Sequence, residues 1–155
     1  MLPKLNDYND LILKLDHNMK RLRESNHIYD LLDCMLTLNS LPEWIIASKT
    51  ASESLKKVAE EKIEIMKGLN GFVFEENKLF DNIDQQLRFV RLLCNHTKHK
   101  TDSKLIPIIE SITGTTLPMM LPARFCIIVA VGNLKVDGEF IAFQVLEFWK
   151  KEILK

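Results

Sequence analysis

The chain has 155 residues, of which 46% are hydrophobic and 27% charged, and its 21 basic and 21 acidic residues cancel. That length suits one domain, and the neutral balance gives no bulk signature of a strongly basic nucleic-acid binder or an acidic tail. No apolar run reaches the ~18–20 residues of a membrane span. Met1 to Asp7 has no apolar signal core, so a cytoplasmic protein without membrane partners is expected. Cys34, Cys94 and Cys126 are odd in number and far apart, which points to reduced core thiols rather than a disulfide framework or a thiolate zinc site.

The predicted elements begin with a helix from about Pro3 to Arg23, in which Leu11, Leu15, Met19 and Leu22 share one face. A second helix starts after Ser25 and carries Ile28, Leu31, Leu32, Met35 and Leu38. Asn39-Ser40 interrupts it. Ser40-Leu-Pro42-Glu43 reads as a capping box for a short helix from Leu41 to about Lys49. Thr50-Ala-Ser-Glu53 reads as another, opening a helix with Leu55, Val58, Ala59, Ile63 and Met66 that Gly68 and Asn70-Gly71 close.

The next helix is expected from about Glu75 to His99, with Leu79, Ile83, Leu87, Val90 and Cys94 forming a narrow core-facing seam. Leu92 lies opposite that seam and Phe89 about 120° from it. Their presence requires burial on several sides or a second protomer, so a homodimer through this helix is the alternative to packing within the chain.

Beyond Thr101 the pattern changes. Lys104 to Thr113 reads as an extended segment that Pro107 limits to an edge or a strand start. Phe125 to Val131 is an apolar run of strand length, Gly132-Asn133 a two-residue turn and Leu134 to Val136 an antiparallel return. Asp137-Gly138 is a further turn signal, before a last helix from about Glu139 with Ala142, Val145, Leu146, Trp149 and Ile153 on its apolar face. The expected fold is mainly α: a single domain, helical over 1–100, strand-containing over 104–136 and helical again over 139–155. It would be a helical bundle with a small antiparallel hairpin or three-stranded sheet near the C-terminus.

Phosphate-cradling glycine loops, HExxH and GxSxG are absent, and no cofactor is indicated. The one dense polar constellation is Arg88-Phe-Val-Arg91-Leu-Leu-Cys-Asn95-His96-Thr-Lys98-His99-Lys100. Arg91, Asn95 and His99 follow at four-residue steps, with Asp84 and Arg88 earlier on the same flank. Arg88, Arg91, Lys98, Lys100 and Lys104 face only Asp102 in charge over this stretch, a local basic patch in a neutral chain. Arg91, with Arg88, suits a phosphate; His99 or His96 suits proton transfer near neutral pH; Asn95 would orient one of them. Without a metal, such a set suits cleavage of an RNA phosphodiester by its own 2′-OH. The structural alternative is cations satisfying a helix C-terminus. His96 and His99 alone do not fill a zinc shell, so no metal is expected. Trp44 and Trp149 read as core anchors, and His17 and His27 receive no role.

The string Arg91-Leu-Leu-Cys-Asn95-His-Thr-Lys98-His99 resembles the HEPN superfamily of all-α proteins, and within it a set of bacterial, phage and mobile-element proteins whose helix ends in Asn-x-x-Lys-His. Asp30-Leu31 through Glu43-Trp44, Asp137-Gly138 and Phe148-Trp149 match further short strings of that set, so the resemblance spans most of residues 28–155. It implies a helical bundle, often homodimeric, acting as a metal-independent ribonuclease or toxin, or as an inactive binding or adaptor domain. The family motif is Arg, four to six residues, then His, with a polar residue first in the gap. Arg91 to His96 has a gap of four, but Leu92 is apolar. Arg91 to His99 has a gap of seven. Two functional expectations follow: a non-catalytic interaction or nucleic-acid-associated module of a mobile element or defence system, and a metal-independent endoribonuclease using Arg91, Asn95, His99 and His96. RNA, a partner protein and a second copy are the partners to consider.

Overall fold

In the computed structural model, residues 4–98, 108–111, 127–131 and 134–155 are described. Five α-helices run Tyr8–Ser25 (α1), Ile28–Ala47 (α2), Glu53–Lys67 (α3), Ile83–Lys98 (α4) and Gly138–Ile153 (α5), and three strands run Ile108–Ser111 (β1), Ile127–Val131 (β2) and Leu134–Asp137 (β3). The fold is mainly α with a small antiparallel sheet before the last helix, as expected.

Helix α1 starts at Tyr8 rather than near Pro3, because Asp7 takes the N-cap and closes a capping box with Asp10. It ends on Asn26 in a left-handed conformation. His27 then caps α2, its Nδ1 accepting the Tyr29 backbone N–H at 3.1 Å; so His27, given no role above, sets the α1–α2 corner. The two helices are antiparallel. Arg21 reaches Asp30 at 2.6 Å and Asp33 at 2.8 Å, while Lys14 reaches Asp33 at 3.2 Å and Thr37 at 2.8 Å.

The expected break at Asn39-Ser40 does not occur. Helix α2 runs through Pro42, which is buried, and Ser40 Oγ donates back to the Leu36 carbonyl at 3.1 Å instead of capping a new helix. An interior proline costs ~3 kcal/mol. Leu31, Cys34, Met35, Leu38, Leu41 and Ile45 nonetheless keep one buried helical stripe across it, and burying each such side chain gains ~1.5–3 kcal/mol. The next cap also shifts: Ser52 caps α3 through the Leu55 N–H, while Thr50 donates to Asp7 Oδ2 at 2.9 Å. Gly68 closes α3 with φ +70°, in the left-handed region expected there.

Helix α4 is shorter than the spacing predicts. A 3₁₀ turn at Glu76–Lys78 precedes it, and Asn82 Oδ1 accepts the Gln85 N–H as its cap. Leu79 is still fully buried but sits outside the helix. The buried amides of Gln85 and Gln86 hold the connection in place: Gln85 bonds the Val73 carbonyl and Glu75 N–H, and Gln86 the Leu79 carbonyl. Helix α4 packs against α2, α3 and α5.

The sheet has the order β1-β2-β3. Ile108 pairs with Ala130, and Val131 with Leu134 across two intervening residues. Ile127, Val129 and Val131 of β2 are buried with Val136 of β3, so the apolar run is one-faced, with Ile128 and Ala130 half-exposed. Asp137-Gly138 is the junction where β3 ends and α5 begins. Asp137 Oδ1 accepts the Glu139 N–H at 3.0 Å and starts α5 directly. Gly138 is close against α2: a Cβ there would lie 2.6 Å from Leu31 Cδ2. Helix α5 buries Ile141, Ala142, Val145, Leu146 and Trp149, and runs antiparallel to α1 through Arg23–Glu139 and Asp16–Lys150 pairs. Among the described residues, no helix is long and apolar enough to cross a membrane.

Candidate functional site on helix α4

The residues singled out on α4 part company in the structure. Asp84, in the first turn, pairs with Lys62 of α3 at 2.7 Å. One turn on, Arg88 Nη1 donates to the Met66 carbonyl at 2.7 Å. Both contacts step forward by four on each helix, so α3 and α4 pass each other in the same sense and the connection between them returns the chain. Arg88 is therefore a bridge to the end of α3. Its half-buried guanidinium is drawn below its ordinary pKa by burial and then by the neighbouring charge of Arg91, and it remains a cation at neutral pH.

Arg91 and Asn95 are half-buried and one turn apart on the flank that continues outward from Arg88. No ion pair occupies Arg91 among the described residues. His96 lies elsewhere: five residues from Arg91 is about 140° around a helix. Its Nδ1 is buried without a hydrogen-bond partner among the described residues. Thr97 Oγ1 bonds the Leu93 carbonyl at 2.9 Å, and Lys98 is the last residue of α4. His99, Lys100 and Lys104 lie outside the described residues.

The apolar residues of α4 explain the division. Phe89 and Leu93 are fully buried, and Leu92 is 8% exposed. Helix α4 is thus covered on several sides by its own chain, and neither Phe89 nor Leu92 requires a second protomer to cover it. Cys34 and Cys94 are buried, and burial pushes the Cys34 thiol up to about 12; thiolate chemistry is disfavoured there. Among the described residues, no three His, Cys, Asp or Glu side chains converge as a metal shell.

Two features were not legible in the sequence. Lys62 and Met66 are 22 residues from their α4 partners, and a backbone carbonyl acceptor leaves no sequence signal. Trp44, expected as a core anchor, packs on the core yet is only half-buried and walls an open hollow of about 410 Å³. Trp149 is fully buried, edge-on to Phe148, as expected.

Comparison of the chain with protein-family models, curated proteins and solved structures finds no match.

Proposed function

We propose that this chain is a HEPN-like, non-catalytic module, of the kind carried by mobile elements or defence systems, that associates with RNA through the outer flank of α4. One observation carries the reading: α4 separates its polar groups by task. Arg88 is committed to the Met66 carbonyl, Arg91 and Asn95 lie half-buried one turn apart on one flank, and His96 is turned about 140° from Arg91 with a ring nitrogen buried. Phosphate contact needs only the first flank. Proton transfer beside that phosphate needs an imidazole within hydrogen-bond reach of it, and His96 is on another side of the helix. The apolar Leu92 after Arg91 supports the same reading, since the resemblance would place a polar residue there in a nuclease.

The experiment is fluorescence anisotropy of labelled single-stranded RNA at rising salt. Phosphate contacts give an affinity that falls steeply as salt rises. The expected result is such a fall, with Arg91→Glu weakening binding roughly tenfold or more and Arg88→Lys leaving it near wild type. Affinity indifferent to salt, or no binding by folded protein, rejects the reading and leaves a protein partner as the better one. The endoribonuclease reading makes a different demand: RNA cleavage in chelator that depends on His96 or His99.

A further inference from the structure

The end of α2 borders a hollow that is independent of the α4 reading. Asn6 and Asp7 from the start of α1, and Glu43, Trp44, Ala47 and Ser48 from the end of α2 and its cap, line the open hollow of about 410 Å³. Its chemistry is one-sided. Among the described residues, none that lines it is basic. The last turn of α2 contains no basic residue either, so the partial negative charge of that helix end is uncompensated by its own side chains. Glu43 is exposed and has no ion-pair partner among the described residues. The Asp7 carboxylate accepts from the Tyr8 N–H and the Thr50 hydroxyl, at 2.8 and 2.9 Å. Its further donors, the Ser48 hydroxyl and the Asn9 amide, are neutral as well, so its charge is spread but not cancelled. The opposing half charge at the start of α1 is met by Asp7 together with Asp10, which accepts from the Asn6 and Asp7 N–H groups. Lys4 and Lys49 flank the hollow in the chain without lining it.

Trp44 decides which cation fits. Its indole packs on the core from one side. It lines this hollow and also a second one, with Leu5, Leu11 and Leu36. Two carboxylates cannot complete a shell of six or more oxygens for calcium. An aromatic wall beside carboxylates suits a polarisable organic cation, which gains from the ring's electron-rich face as well as from charge. We infer that the hollow between Trp44, Glu43 and Asp7 binds an alkylammonium or guanidinium group. The group belongs either to a free small molecule or to a basic side chain of a protein segment.

The test uses the full chain labelled with ¹⁵N. It has two tryptophans, so two indole N–H signals are expected, and fully buried Trp149 serves as the internal reference. Tetramethylammonium chloride, free arginine and a blocked peptide with one central arginine are each titrated against sodium chloride of equal ionic strength. The expected result is a saturable shift of the Trp44 signal only, weakened at least severalfold in Glu43→Gln and restored toward wild type in Glu43→Asp. Trp44→Phe, which keeps an aromatic face, is expected to retain part of the affinity and Trp44→Leu none, read from backbone signals of Ala47 and Ser48. Tighter binding of the peptide than of free arginine assigns the cation to a protein segment, and equal or weaker binding to a small molecule. Shifts no larger than with sodium chloride, or unchanged binding in Glu43→Gln, overturn the proposal.

Discussion

The guanidinium of Arg88 lies 2.7 Å from the carbonyl oxygen of Met66, at the end of a helix to which it does not belong. The last carbonyls of any helix lack intrahelical partners, and a charge-assisted donor supplied from α4 satisfies one of them. Arg88→Ala should lower the unfolding free energy by about 1.5–3 kcal/mol, the range for losing a hydrogen bond to a charged group. Arg88→Lys should recover part of it. Urea denaturation checks this, and an unchanged midpoint in Arg88→Ala would show that the contact contributes nothing to stability.

Gly68 belongs to the same joint. It has φ +70°, and a Cβ would sit 3.0 Å from the Arg88 guanidinium carbon. Gly68→Ala should therefore cost about 1–2 kcal/mol, from the left-handed backbone and from crowding of Arg88. Only the crowding depends on Arg88. The costs of Gly68→Ala and Arg88→Ala should add to more than the double variant loses, by roughly 0.5 kcal/mol or more. Strict additivity in denaturation would separate the two residues.

Gly138 lets α5 start against α2. With Leu31 Cδ2 only 2.6 Å from where a Cβ would stand, Gly138→Ala should destabilise by about 1–3 kcal/mol despite alanine's better helix propensity. Pairing it with Leu31→Val, which shortens the opposing side chain, should recover part of the loss. Calorimetry of the three variants tests this; Gly138→Ala at wild-type stability would place the two elements further apart.

Asp7 gives a pH signature. Its carboxyl is held below the usual carboxylate range, chiefly by the Ser48 hydroxyl and also by Thr50 and the Tyr8 N–H, against the opposing effect of burial. A folded value below the unfolded one, near 3.8, makes the contribution present above that pH. It is lost as pH falls through the folded value. The stability gap between wild type and Asp7→Asn should be level from about pH 5 to 7 and narrow below about pH 4. A gap that widens on acidification would reverse the sign.

How far the sequence reached can be judged from particular residues. The stripes Leu11-Leu15-Met19-Leu22 and Leu87-Val90-Cys94 report their own burial, because periodicity is a local property. The Val131–Leu134 pairing was legible for the same reason. The errors fall where tertiary packing overrides local chemistry. Pro42 sits inside α2 because the apolar stripe continues past it, and Thr50 abandons its cap for Asp7, 43 residues away. Helix α4 begins at Ile83 because Asn82 caps it and Gln85 and Gln86 bind the preceding connection. For the site, the flank of Arg88, Arg91 and Asn95 followed from helical spacing. That Arg88 is spent on Met66 did not, since its acceptor is a main-chain atom.

Division of labour on α4 is tested most directly by incubating a roughly 20-nucleotide labelled RNA with stoichiometric protein in chelator and resolving the products by electrophoresis. Full-length RNA is the predicted result for wild type, His96→Ala and His99→Ala alike. Fragments ending in cyclic phosphate, formed by wild type and absent with either histidine variant in its folded state, would contradict it.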